Sequence, residues 1–286
     1  MQRAPVAVHS WLPVLAALAQ AAGESILVHY AGQRIRLAEK ADRSPLTAAD
    51  LVAHHIIEAG LRRHFPHIPV ISEESADKSL AAGQGDFWLV DPLDGTREFL
   101  NGNGEFTVNI ALIHNRVPVL GVVHAPVLGR TWLGQRGIGA WRVGASAERR
   151  ETRSLTEDME PIRVAAPADA VRVVVSRSHA DVRTMELIAA IPRQRSLFAG
   201  SSLKFCMLAE GSADFYPRLG ATMEWDTAAA QCVLEAAGGR VIKLDGEALD
   251  YRKADWRNPH FLAVGAWAPI FDTLIQFLGA KELVHE

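Results

Sequence analysis

The chain has 286 residues, 49% hydrophobic and 22% charged, with a formal net charge of −3. That length suggests about two domains of ~150 residues, or one large layered one, with enough buried surface to fold without staples. The near-neutral balance and the absence of a long basic run argue against a dedicated nucleic-acid or membrane-surface protein, and two cysteines, Cys206 and Cys232, make neither a disulfide framework nor a zinc knuckle.

Met1 to Gly23 carries one arginine, an apolar stretch from Trp11 to Ala19, and then Ala-Gln-Ala, the outline of a secretory signal. Pro13 interrupts that stretch. The apolar spacing also runs on past the would-be cleavage point, through Leu15, Leu18, Ala22, Ile26 and Tyr30, so a single amphipathic helix over Trp11–Tyr30 is predicted. No apolar run nears the ~20 residues of a membrane span, and no integral membrane segment is expected.

Ser44-Pro45-Leu46-Thr47 is a helix start signal, and Ala48 to Phe65 reads as a second helix. Ile68 to Ile71 is a short β-branched strand, Ala76 to Asp86 a loop, and Phe87 to Val90 a buried strand ending at Asp91-Pro92. From Phe106 to Trp141, β-rich runs separated by turns predict an antiparallel meander. The polar stretch Glu148 to Glu160 sets a domain boundary, giving residues 1–157 and 158–286. Beyond it, strands at Val171–Val175, Phe215–Tyr216, Arg240–Lys243 and Phe261–Val264 alternate with helices at Arg183–Ile191, Leu203–Glu210, Thr227–Ala237 and Ile270–Leu278. The fold class is α/β, layered.

Four acidic clusters stand at element ends. In Asp91-Pro92-Leu93-Asp94-Gly95-Thr96 an apolar strand runs into Asp91 and Pro92 forces a bend, so Asp91, the Leu93 carbonyl and Asp94 can converge. Hard divalent cations take such sets of oxygens. Gly95 permits close backbone approach, and Thr96 opens a short predicted helix whose first amides suit a phosphate. Glu73-Glu74 follows the Ile68–Ile71 strand and can supply one ligand directly and one through water; a solvated loop is the ordinary reading of such a pair. Taken alone, Asp226, ahead of the Thr227–Ala237 helix, reads first as an N-cap, and a capping box fully explains Thr47-Ala48-Ala49-Asp50. His54, His55, His64 and His67 lie on or beside one helix without a metal-site context and are taken as surface histidines. Gly102-x-Gly104 and Gly137-x-Gly139 read as turns, not dinucleotide fingerprints.

Taken together and in order, Glu73-Glu74, Asp91 to Thr96 and Trp225-Asp226 resemble the inositol monophosphatase-like superfamily of magnesium-dependent, lithium-sensitive phosphatases, over nearly the whole chain. Gly104–Ile113, Ser176-Arg177-Ser178-His179 and Gly200–Cys206, continuing to Tyr216-Pro217-Arg218, resemble more closely its CysQ-type branch, the 3′(2′),5′-bisphosphate nucleotidases. The resemblance implies a layered αβαβα sandwich of the inositol monophosphatase/fructose-1,6-bisphosphatase type. It implies Glu73, Asp91, the Leu93 carbonyl, Asp94 and Asp226 as ligands of two or three Mg²⁺ ions, with Asp50 and Thr96 orienting the attacking water and Glu74 as a further catalytic group. Substrate contacts would come from Glu73, Leu93, Asp94, Gly95, Thr96 and Asp226 around the scissile phosphate, and from His179, Ser201, Lys204 and Arg218 around the rest.

The implied reaction is hydrolysis of 3′-phosphoadenosine 5′-phosphate to AMP and phosphate, which in the family serves sulfur assimilation. Inositol 1-phosphate and fructose 1,6-bisphosphate are the alternative substrates. A catalytically inactive nucleotide-binding regulator is the alternative outside enzymes, and it would be favoured by a missing metal carboxylate; none is missing. The expected setting is the cytoplasm, with peripheral contact to the inner membrane left open, as a monomer or homodimer with no nucleic-acid partner.

Overall fold

Alternation along the strands builds the core on two sides of one sheet. In the strand Phe87–Asp94 (β4), Phe87 and Leu89 face one hydrophobic cluster while Trp88 and Val90 face another. The strand Thr107–His114 (β5) splits its Ala111 and Ile113 from Ile110 and Leu112 in the same way. Both faces are apolar because both are covered by helices. The computed structural model that shows this describes residues 11–30, 37–39, 45–75, 85–144, 158–166, 169–178 and 181–266. The predicted Ile270–Leu278 helix, most of the Ala76–Asp86 loop and most of the Glu148–Glu160 boundary lie outside those residues.

Seven strands form the first sheet in sequential order: β3 (Val70–Ser72), β4, β5, β6 (Val117–Ala125), β7 (Arg130–Gln135), β8 (Gly139–Val143) and β9 (Glu160–Ile162). Only β3 and β4 run parallel; the rest are the antiparallel meander that the turn spacing predicts. A short antiparallel pair, β1 (Leu37–Glu39) and β2 (Pro45–Thr47), precedes them. Helices α1 (Leu12–Tyr30) and α2 (Ala48–His64) cover one face of the sheet.

On the other face lie α5 (Leu203–Ala209) and α6 (Glu224–Ala236), followed by a second, five-stranded mixed sheet and then α4 (Val182–Ala189). That sheet has the order β11 (Gln194–Ala199), β10 (Val171–Ser176), β12 (Phe215–Arg218), β14 (Phe261–Val264) and β13 (Arg240–Lys243). The layers are therefore αβαβα, as expected, and α3 (Thr96–Leu100) closes the end of β4.

Two details depart from the sequence reading. By length and composition α1 passes as a membrane span, contrary to the expectation that no run comes close, because it is rich in alanine, leucine and valine and only Gln20, Glu24, Ser25 and His29 are strongly polar. Its stripe Leu12, Leu15, Ala19, Ala22 and Ile26 is fully buried against α2 and the sheet. The strand β11 was not anticipated, since Gln194-Arg195-Ser196 carries no apolar alternation; it is an edge strand, half solvated.

The central helix α6 lies flat on the first sheet because two glycines leave room for its backbone. A Cβ on Gly121 would stand 2.2 Å from the Ala229 carbonyl oxygen, and one on Gly134 2.6 Å from Val233 Cα. Gly121→Ala is accordingly expected to lift α6 and cost about 1–3 kcal/mol, seen as a lower thermal midpoint; an unchanged midpoint would contradict this packing.

Candidate active site

The site begins where β4 stops being regular. Asp91 pairs with Asn109 of β5 and Asp94 pairs with Thr107, so three steps on one strand match two on the other and the ladder bulges across Pro92 and Leu93. The Asp91 carboxylate accepts the Leu93 amide at 3.1 Å, and the Thr96 hydroxyl donates to the Leu93 carbonyl at 3.5 Å. Gly95 follows in the left-handed region, φ 92°, a conformation that lets the chain turn at once into α3. Glu73 arrives from the end of β3, its amide bonded to the Val90 carbonyl at 3.0 Å.

Asp226 reaches the same cleft from α6. The helix starts at Glu224, three residues earlier than the expected Thr227, so Asp226 is not the N-cap. It sits one turn in and accepts the Met223 amide at 2.8 Å through one oxygen. These groups line one cleft of about 250 Å³ together with Gly95, Thr96, Ser201, Lys204 and Arg218. Asp50, buried in the first turn of α2, and Glu74 do not line it; Asp50 is near enough for its charge to act on Asp91. His179 lies outside the described residues.

The electrostatics of the acidic end are unfavourable as they stand. Burial first, then the charges of Glu73, Asp94, Asp226 and Asp50, push the Asp91 carboxyl well above the usual carboxylate range. Burial and the charge of Asp94 do the same to Asp226. The donors here are carboxylates and a carbonyl with no nitrogen or sulfur among them, a set suited to a hard divalent cation such as Mg²⁺. The same cleft is lined by two cations, Lys204 buried in α5 and Arg218 in β12. Burial is the main cause that pushes the Lys204 ammonium down to about 8, with Asp94 opposing that shift and Arg218 adding to it. Lys204 donates to the Ser201 carbonyl and lies over the Tyr216 ring, 5.3 Å from its centroid.

Around Ser201, three residues that hold this geometry, Thr107, Asn109 and Ser202, were not picked out from the sequence. Ser201 donates to Asp94 at 2.5 Å and stands 2.5 Å from the Thr107 hydroxyl, while Asn109 donates to the Ser202 hydroxyl at 3.0 Å, which itself donates to the Asp226 carbonyl. This network ties the bulge of the first sheet to the start of α5 and α6. Thr107 and Asn109 are polar at alternate positions of an otherwise apolar strand, a pattern that marks one face meeting something polar. Ser201 has φ 49°, an unfavourable region for a residue with a Cβ, as expected where function fixes the backbone.

Glu224 is fully buried; it accepts the amides of Arg252 and Lys253, each at 2.7 Å, and pairs with the Lys253 ammonium at 2.8 Å. It thereby pins the 251–257 loop beneath Asp226. Across the mouth, Glu105 binds Arg177 through two bonds of 2.7 and 2.8 Å and accepts the Gly200 amide, and Ser178 donates to Glu98 at 2.5 Å. His54 also differs from the expected surface histidine: it is on the buried stripe of α2 and bonds Ser72.

An αβαβα sandwich in which one cleft gathers several carboxylates, a lysine and an arginine suits cation-assisted chemistry on a phosphate ester. The profile of the inositol monophosphatase family matches residues 7–268, and the chain belongs to that family. It is 44% identical over 247 residues to the 3′(2′),5′-bisphosphate nucleotidase CysQ of Shigella flexneri and 42% identical to that of Escherichia coli K12, in each case over 85% of this chain and 95% of the relative. Among solved structures it resembles CysQ from Bacteroides thetaiotaomicron, with 40% identity, a TM-score of 0.78, and coverage of 90% of this chain and 97% of that one. An inositol monophosphatase from Anabaena superposes with a TM-score of 0.71 at 25% identity, over 96% and 97% of the two chains.

The charge crowding has a measurable consequence. Because the folded-state pKa of Asp91 is raised, its contribution favours folding while it is protonated and is lost as pH rises through that pKa, so the metal-free protein is penalised at neutral pH. Asp91→Asn removes the penalty. In chelator at pH 7.5 it is expected to melt ~2–4 °C or more above wild type, corresponding to about 1 kcal/mol, with the gap closing toward pH 4. A lower midpoint for the variant at both pH values would show that Asp91 is not under repulsion.

Proposed function

We propose that this chain is a magnesium-dependent phosphoric monoester hydrolase that removes the 3′-phosphate of 3′-phosphoadenosine 5′-phosphate, giving AMP and phosphate. The observation that carries the reading is the composition of one cleft, which brings Glu73, Asp91, Leu93, Asp94 and Asp226 together with the buried cations Lys204 and Arg218. Curated relatives more than 40% identical along nearly their whole length bear the name of this activity.

In this reading Glu73, Asp91, the Leu93 carbonyl, Asp94 and Asp226 hold two or three Mg²⁺ ions. Bound there, the ions supply charge neutralisation at the attacking and leaving oxygens and a more acidic water. The protein's own part is positioning. Thr96 aims its hydroxyl at the Leu93 carbonyl, and the buried charge of Asp50 lies behind Asp91, so the two are placed to orient the water and hold its proton. Glu74, at the rim, acts through water, and the amides of Gly95 and Thr96 meet the scissile phosphate. Ser201, Lys204 and Arg218 grip the second phosphate; for His179 the family resemblance alone supports a contact to the nucleoside. All the carboxylates required are in place, which favours catalysis over a binding-only role. A cytoplasmic setting belongs to this reading; membrane association does not.

The distinction among substrates comes from the second phosphate, since the cations touch only the one removed. Two charge-assisted bonds of about 1.5–3 kcal/mol each give ~100-fold or more in kcat/KM over a monoester that lacks them. Side-by-side kcat/KM values for 3′-phosphoadenosine 5′-phosphate, 3′-AMP and inositol 1-phosphate are expected to rank in that order. Lys204→Ala and Arg218→Ala should narrow the preference by depressing the first value far more than the others. If wild type prefers inositol 1-phosphate, or the variants lose all three activities equally, the nucleotidase reading fails.

The lowered pKa of Lys204 adds a pH signature. Its charge is present below about 8 and lost above, so KM for the bisphosphate should climb above pH 8 while KM for 3′-AMP stays nearly level. Parallel profiles for the two substrates would remove Lys204 from the second-phosphate grip.

A further inference from the structure

We propose that His54, His55 and Glu58 of α2 form a binding site for a borderline-soft divalent ion of the Zn²⁺ class, distinct from the oxygen-only cleft. One donor atom from each of the three lies within 4.8 Å of the other two. Two imidazoles and a carboxylate, completed by water, are a zinc-type set, whereas Mg²⁺ wants oxygen alone. The geometry around the donors is what a ligand shell needs. His54 Nδ1 is 3.0 Å from the Ser72 hydroxyl, which fixes the ring and turns Nε2 toward Glu58 Oε2, 3.8 Å away. The other oxygen of Glu58 takes Arg62 at 2.9 Å, so the carboxylate is oriented as well. Each of these two ligands thus has an outer partner that holds its free atom toward the common point.

The charge state fits. Burial holds the His54 pKa below its ordinary value, with Glu58 opposing and His55 assisting, the direction that favours a ligating ring. His55 is exposed, its ring centroid is 5.1 Å from that of His54, and among the described residues no buried neighbour fixes its ring, so its donor is the one that must close from within 4.8 Å to the ~3.3 Å spacing set by Zn–N bonds of about 2.0–2.1 Å. An ion on Nε2 would leave the proton on Nδ1, making His54 a fixed donor to Ser72. The Ser72 hydroxyl also receives the Glu74 amide at 3.3 Å and immediately precedes Glu73, so the site is linked to the rim of the catalytic cleft.

The test is a titration of the full chain in saturating Mg²⁺, with Zn²⁺ followed by calorimetry and Co²⁺ by its visible absorption. One ion per chain is expected to bind, Co²⁺ with the intense bands of a four- or five-coordinate nitrogen-ligated ion. His55→Ala and Glu58→Gln should each weaken binding at least tenfold while leaving Mg²⁺-dependent phosphate release unchanged. Binding is read without reference to substrate, so its outcome is independent of the nucleotidase assignment. No Zn²⁺ or Co²⁺ uptake under excess Mg²⁺, or equal affinity in wild type and both variants, overturns the proposal.

Discussion

Everything at the site follows from keeping carboxylates charged in a place where water does not reach them freely. Asp91 is buried and Asp226 half-buried, close enough to repel each other, and Glu73, Asp94 and Asp50 add to the repulsion on Asp91. A protein interior penalises such a group steeply unless a counter-charge is supplied. Lys204 and Arg218 line the same cleft and act on Asp94 and Asp226 through their charges, yet burial and mutual repulsion still hold the Asp91 and Asp226 carboxyls above their usual range. The fold therefore carries an electrostatic deficit that a small divalent cation would relieve.

Holding the acids there requires rigid elements on every side. The bulge in β4, the early start of α6 and the strained Ser201 each bring one oxygen group to the cleft, and they are cross-linked through Thr107, Asn109 and Ser202. Behind them, Gly121 and Gly134 let α6 pack directly on the first sheet, and Glu224 anchors the loop under its first turn. The apolar clusters on both sides of the sheet supply the stability that offsets the local repulsion.

Much of this was legible in the residues. An apolar strand breaking at Asp-Pro-Leu-Asp-Gly-Thr announces converging oxygens, and the layered α/β class follows from the order of apolar patterns. The misreadings have physical causes. Asp226 read as an N-cap because a cap and a third-position carboxylate share the same chemistry; the helix was longer by one turn. Thr107 and Asn109 were hidden in a strand whose apolar neighbours dominate its pattern. His54 was taken for a surface group, yet it falls in step with Asp50, Ile57 and Leu61 on the buried stripe of α2. Glu224 gave no signal, since its partners are backbone amides nearly thirty residues away, which local pattern cannot show.

The central claim is that the fold stores unneutralised carboxylates for a divalent cation, and proton counting tests it most directly. Mg²⁺ is titrated into metal-free protein by calorimetry near pH 6.5 in two buffers that differ in ionisation enthalpy, which yields the number of protons exchanged on binding. Because Asp91 and Asp226 hold raised pKa values without a cation, Mg²⁺ binding should release a measurable fraction of a proton or more, and release should fall in Asp91→Asn. Binding with no proton release in wild type would contradict the account.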